Sequence, residues 1–301
     1  MNTKAFNMTK GERLFDIFLY VFLAIIMIVT LYPFLNVLAI SLNESVDTVR
    51  GGIYIWPREW TLENYERIFA YKGLIQGFKI SVLRTLVGTI IGLISASMLA
   101  FTLSRQEFRA RKALSTFLAL TMYVSGGLVP MYILMRQLDL IGTFWVYILP
   151  GAVSAFNVFV IRSFMDGLPY ALQESAKLDG ANDFKIYYKI IMPLCKPVLA
   201  TIALFLAVGQ WNEWFSTYLY NGSKPQLTTL QYELMKVLAT TNQGGAGAVS
   251  NVNDMAKQMA NISPESIKMA ITIVVTVPIL LVYPFLQKYF VGGMTLGAVK
   301  A

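Results

Sequence analysis

The side chains that could do chemistry lie in two stretches. Glu174–Pro193, ESAKLDGANDFKIYYKIIMP, holds three acids and three lysines around Gly180. Gly209–Tyr220, GQWNEWFSTYLY, sets Gln210, Asn212 and Glu213 among Trp211 and Trp214. Neither spacing supports bond-making catalysis. There is no histidine, so the commonest general base and metal ligand is missing. The single cysteine, Cys195, rules out a disulfide within the chain and a Cys-rich metal site. Gly244–Asn251, GGAGAVSN, is no phosphate loop, because no Gly-Lys-Ser/Thr follows. If this chain works with ATP, another chain must bind the nucleotide. What remains is recognition. Trp211 and Trp214 offer flat aromatic faces, and Gln210 and Asn212 offer hydrogen-bond partners. The same residues also read as an outer interfacial belt, with Glu213 reaching lipid headgroups. Asn157 either lines the same path or makes an interhelical hydrogen bond.

The elements that position these residues must sit in a bilayer. Only 14% of the 301 residues are charged, against about a quarter in soluble proteins, and the mean hydropathy is +0.56. A spanning helix needs about 20 mostly apolar residues. Six stretches qualify: Leu14–Ile40, Ile80–Leu103, Leu114–Met135, Thr143–Phe164, Val198–Tyr220 and Ile267–Leu286. The first has no small-residue cleavage site and reads as a retained span rather than a signal peptide. In the second, Gly88, Gly92, Ser95 and Ala96 would let another helix approach closely. Arg84 lies near the end of that span, where it could snorkel outward. The net charge of +8 is spread over loops between apolar runs, which argues for insertion topology rather than nucleic-acid binding. The basic excess around Lys4–Arg13, Arg105–Lys112, Lys177–Lys196 and Lys288–Lys300 places both termini and the polar stretch in the cytoplasm. Residues 1–13 then form a leader, 14–290 the spanning domain and 291–301 a tail. Two long outer loops follow, at 43–79 and 221–268.

Locally, Gly167-Leu168-Pro169 stops the fourth span, and Pro169 suits the first turn of a new helix. Gly180 ends that helix, because glycine readily takes the left-handed conformation. Asn182 or Asp183 caps a second helix over Phe184–Ile191, stopped by Pro193. This helix–Gly–helix elbow over 168–193 is either an amphipathic linker on the membrane surface or a docking element.

Its residues resemble the EAA loop of ABC-importer permeases, E-A-A-x-x-x-G, nine residues, then I-x-L-P. Glu174-Ser175-Ala176 is followed by Gly180, nine residues (181–189) and Ile190-Ile191-Met192-Pro193. Serine replaces an alanine and methionine a leucine, with the spacing intact. LYPFLNVLAISLNES (31–45), WPREWTLENYERIF (56–69) and the Trp211-Asn212-Glu213 signature are similar to segments of the maltose-type carbohydrate-uptake permeases. The resemblance is to the smaller six-span partner of each pair, and especially to oligo- and polysaccharide importers of Gram-positive bacteria. GGMTLGAVKA (292–301) resembles the tail that reaches between the ATPase subunits in that group.

The resemblance implies an all-α integral membrane protein of six transmembrane helices, a type I ABC importer permease fold with a cytoplasmic coupling-helix elbow. It implies a bacterial cell-membrane location and no catalysis by this chain. It implies no cofactor here either, with ATP and Mg on two cytoplasmic ATPase subunits. The other partners are a second homologous permease, a lipid-anchored or periplasmic sugar-binding protein, a carbohydrate and membrane lipid. ATPase coupling falls to Leu172, Glu174, Ser175, Ala176, Leu178, Asp179, Gly180 and Pro193, with Leu172, Ala176 and Leu178 as apolar contacts. Met294, Thr295, Leu296 and Lys300 would dock the tail. Gln210, Trp211, Asn212, Glu213, Trp214 and Asn157 are the substrate-path candidates. A secondary transporter driven by an ion gradient is the competing class; it would want carboxylates paired across midplane spans or inverted repeats, and Glu213 alone supplies neither.

Overall fold

A computed structural model describes residues 10–242 and 264–298. The described residues are helical; the one strand-like pairing among them is an isolated bridge between Asn43 and Trp60. The chain divides into two compact units. One takes the residues up to Ala70 with Leu238–Val274, the other Tyr71–Val237 with the residues from Val275 on.

In the first unit, α1 (Lys10–Ser41) is apolar on every side and exposes Leu14, Phe18, Phe22 and Ile28. Such a helix needs lipid or protein around it. Two short helices follow, α2 (Ser45–Val49) and α3 (Glu63–Ala70). They are joined by a buried polar knot. Asn43 Oδ1 accepts from the Arg58 and Glu59 amides at 2.8 and 2.9 Å, and Asn64 Nδ2 donates to the Ser41 and Asn43 carbonyls. Arg58 closes the knot on Asp47 at 3.0 Å. The amide of Asn43 and the Arg58 guanidinium hold the Asp47 carboxyl below its ordinary range. Trp56 and Trp60 pack edge to face, 5.1 Å between centroids, and both are exposed, as interfacial anchors would be.

The second unit is organised by α4 (Lys72–Ser104), an unbroken helix of 33 residues. Its small residues do what their spacing predicts. A Cβ on Gly88 would fall 2.8 Å from the Gln210 side chain, and one on Gly92 3.1 Å from Leu206, so α4 packs directly on α11 (Lys196–Asn212). Ser95 Oγ donates to the Ala152 carbonyl. Ala96, Ala100 and Leu103 form a common core with Val158 and Ile161 of α7 (Ala155–Asp166) and Ile202 of α11. Gly88→Leu is expected to overpack this seam by about 1–3 kcal/mol; the thermal midpoint of the detergent-solubilised protein should fall.

Three expected spans are not single helices. Over 114–135 the chain forms α5 (Arg111–Tyr123) and α6 (Leu128–Gln137), bent by 116°. Gly127, at φ +85°, makes the break. Over 143–164 two 3₁₀ turns, Phe144–Tyr147 and Leu149–Gly151, precede α7 at 48°, with Pro150 supplying no amide to extend them. The fifth stretch is helical only to Asn212; Glu213 is extended, and a π turn follows at Thr217–Asn221. Three of the described helices are long and apolar enough to cross a membrane, and six spans result if each bent pair counts as one. Within the stretch expected as the second outer loop, Leu230–Asn242 forms a helix, α12. The last helix, α13 (Pro264–Ala298), runs on without a break where a separate tail was expected at 291. The side chains of Met294, Thr295 and Leu296, and all of Lys300, lie outside the described residues.

Candidate functional site

The elbow starts as α8 (Ala171–Leu178), after Pro169 and Tyr170 have accepted the first amides. Its end is a complete Schellman motif: Ala181 N–H donates to the Ala176 carbonyl and Gly180 N–H to the Lys177 carbonyl, both at 2.9 Å. Gly180 has φ +75°, as that motif requires. Asn182 is the cap of α9 (Asp183–Ile186), its Oδ1 accepting from Lys185 N–H at 2.9 Å. Pro193 does not stop the helix. The chain widens into a π turn at Tyr187–Ile191, continues as α10 (Met192–Leu194) and bends by 83° into α11. The wider turn is a natural answer to a proline, which has no amide to donate and crowds the carbonyl four residues back.

The faces of α8 are divided. Gln173 and Ala176 are buried, while Leu172 is 41% and Leu178 90% exposed, with Glu174, Ser175 and Asp179 also outward. Ala176 therefore belongs to the chain's own core, a correction to its expected place among the partner contacts. The buried side is gripped by the turn after α4. Arg105 Nη1 donates to Gln173 Oε1 at 2.6 Å and Nη2 to Asp183 Oδ1 at 2.7 Å, with its guanidinium 5.4 Å over the Phe101 ring. Glu107 Oε1 accepts from Lys177 Nζ at 2.6 Å and from the Tyr170 hydroxyl at 2.8 Å. Those two donors hold the Glu107 carboxyl down at about 2. A lowered carboxylate contributes its stabilisation above the ordinary pKa and loses it only as pH falls through about 2. The grip persists in mild acid.

The second stretch surrounds a helix end. Arg84, whose side chain is only 4% exposed, reaches from α4 to the break after α11. Nε donates to Gln210 Oε1 at 2.8 Å, Nη1 to the Glu213 carbonyl at 3.0 Å and Nη2 to Glu213 Oε2 at 2.7 Å. Its guanidinium lies 4.6 Å over the Tyr147 ring. Ser216 donates to both carboxylate oxygens of Glu213 through its amide and hydroxyl. Arg84 therefore does not snorkel outward; a carboxylate, an amide and a carbonyl hold it inward. Tyr147 is buried and donates to the Leu227 carbonyl at 2.7 Å. Trp211 is also turned away from solvent, with Nε1 donating to the Val275 carbonyl at 3.0 Å. Its ring lines an apolar cavity of about 350 Å³ with Phe78, Val82, Leu86 and Pro278, a surface that offers sugar hydroxyls little. Asn212 is exposed and Trp214 half-buried, so these two remain accessible; Asn157 is buried on α7.

Residues 88–296 match the family described as "Binding-protein-dependent transport system inner membrane component". The chain belongs to that family. It is a non-catalytic permease subunit of an ABC importer, and ATP hydrolysis resides in a separate subunit. It is 35% identical over 292 residues to the polygalacturonan/rhamnogalacturonan transport system permease protein YtcP of Bacillus subtilis (strain 168), covering 96% of this chain and 99% of that one. It is 35% identical over 298 residues to protein LplC of the same organism, covering 97% of each. Among solved structures it superposes with TM-score 0.84 and 26% identity on a chain of a bacterial ABC transporter involved in the import of the acidic polysaccharide alginate, covering 95% of this chain and all of that one. The helical architecture is that of a type I importer permease.

Arg84, Arg105 and Glu107 were missed as site residues. For Arg84 there was a signal: a lone arginine in one span and a lone glutamate in another are each costly alone and cheaper paired. For Arg105 and Glu107 there was none, because a basic loop next to a span already has an explanation in topology.

Proposed function

We propose that this permease forms half of the translocation path of an oligosaccharide importer, crossing the membrane six times with both termini in the cytoplasm. It pairs with a second, homologous permease. Two ATPase subunits, which hold ATP and Mg, dock on residues 170–193, and an extracellular sugar-binding protein delivers substrate. The observation that carries this reading is the two-sided elbow: one face tied into the chain, the other presenting Leu172, Leu178 and Glu174 outward. Leu178, 90% exposed next to the Schellman end of α8, is a side chain that a docked partner would cover. Asn212 and Trp214, beside the break held by Arg84, are the substrate-path residues. Acidic chains are the first substrate class to test, because the relatives named for polygalacturonan/rhamnogalacturonan and for alginate handle such polymers.

The test is reconstitution of the chain with the permease and ATPase that co-purify with it, plus the binding protein. Uptake into liposomes is compared for oligogalacturonate and maltotetraose, with and without ATP. ATP-dependent uptake of the uronate is expected; uptake by this chain alone without ATP would overturn the reading. Leu178→Glu should leave the chain's own stability within about 0.5 kcal/mol, since the side chain is outside its core. It should reduce the ATPase recovered with the complex at least fivefold. Unchanged recovery would remove Leu178 from the docking face.

A further inference from the structure

A docked partner can move the substrate path only if the elbow is stiffly joined to a spanning helix. Arg105 stands where that joint must be. It follows the last turn of α4, its side chain is 8% exposed, and it holds both arms of the elbow at once: Gln173 on α8 and Asp183 on α9. Two contacts from one planar guanidinium fix an angle as well as a position. Glu107, two residues on, takes Tyr170 before α8 and Lys177 near its end. Tyr170, Gln173 and Lys177 are spaced three and four apart and share one helix face, while Leu172 and Leu178 are exposed. The turn after α4 thus grips α8 along its length and α9 at its start.

The same helix carries the second arginine. Arg84 lies 21 residues earlier on α4, about 31 Å along the axis. It binds the carbonyl and carboxylate of Glu213 and the amide of Gln210 at the end of α11. One unbroken helix therefore has its cytoplasmic end fastened to the elbow and its interior fastened to the break beside Asn212 and Trp214. Resting on the proposed function, we infer that Arg105 and Glu107 are positioning residues that clamp the coupling elbow to α4, so that ATP-driven movement of the elbow is delivered along α4 to the Glu213 break.

The readout is placed at the far end and needs no sugar. Asn212→Cys is introduced into the full importer, in which this chain's one native cysteine, Cys195, is buried. The rate at which a membrane-impermeant maleimide labels this chain is measured without nucleotide and after trapping with ATP and vanadate. In the otherwise native chain, trapping should change the rate at least fivefold; no change there would count against ATP-driven gating itself, before the clamp is touched. Arg105→Gln should reduce the change to less than twofold while the complex still assembles and traps nucleotide. Arg105→Lys, which cannot span both arms in the same plane, should fall between. If Arg105→Gln does not assemble, Glu107→Gln decides alone, because its side chain is half exposed and the change keeps its size while removing its charge; it should at least halve the change. A native-sized response in the deciding variant, with trapping intact, overturns the inference. A merely structural residue would lower assembly and trapping together and leave the response per trapped complex untouched.

Discussion

Gly180→Val is expected to uncouple ATP hydrolysis from uptake in the assembled importer. A Cβ at Gly180 would meet nothing within 4 Å, so crowding is not the obstacle. The obstacle is the backbone. At φ +75° an L-residue costs roughly 1–2 kcal/mol, and a β-branched one more. That cost falls on the two hydrogen bonds that close α8, from Ala181 to Ala176 and from Gly180 to Lys177. The cheapest relief is for the introduced valine to leave the left-handed region, which breaks both bonds and swings α9 relative to α8. The spanning helices share none of those bonds, so the chain should still insert and pair. Transport per ATP hydrolysed should drop at least tenfold. Gly180→Asn, which tolerates the left-handed region, should keep most of it, and Gly180→Ala should lie between. Normal uptake by Gly180→Val would mean that the angle between α8 and α9 does not matter.

The elbow was legible because its signals are local. A glycine and an asparagine each act within one turn of their own position, and Gly180 and Asn182 sit at the helix end and the cap those rules give them, whereas Pro169 falls two residues before α8 rather than in its first turn. The contact between α4 and α11 was half legible: the small residues were visible on α4, but not which helix would use them. The breaks in the third, fourth and fifth expected spans were harder. Hydropathy over 20 residues averages across Gly127 and Glu213, and both lie in stretches apolar enough to score as continuous. Ala176 shows a different limit. An alanine between Ser175 and Lys177 has no marked face, and its burial comes from a cluster built by residues far away in the chain. Arg84 and Arg105 depend on partners 126–129 and 68–78 residues away, beyond any periodicity. Such long-range polar contacts are where a membrane protein's sequence says least about its site, and they are what fastens this site together.

The pair between Arg84 and Glu213 should show an asymmetric loss with recovery in the double variant. Arg84 is 4% exposed and Glu213 36%, so removing one partner leaves unequal orphans. Glu213→Gln leaves a buried guanidinium without its counter-charge, a change that costs about 3–5 kcal/mol at buried sites. Gln210 and the Glu213 carbonyl remain as acceptors and should keep the loss near the lower figure. Arg84→Met leaves a carboxylate that still has Ser216 and part of its surface open, so its loss should be smaller, about 1–3 kcal/mol. Arg84→Met with Glu213→Gln removes both charges and keeps both volumes, and should recover most of the stability. Thermal midpoints of the solubilised complex, read by size exclusion after heating, give all three values. Losses that simply add would mean the two groups act separately, and Arg84 would then hold the break through Gln210 and the carbonyl alone. Recovery of stability without recovery of uptake would place the charge itself, rather than the fold it supports, at the mouth of the path beside Asn212 and Trp214. A neutral break would then be free to shift away from α4, and the movement of that helix would no longer reach it.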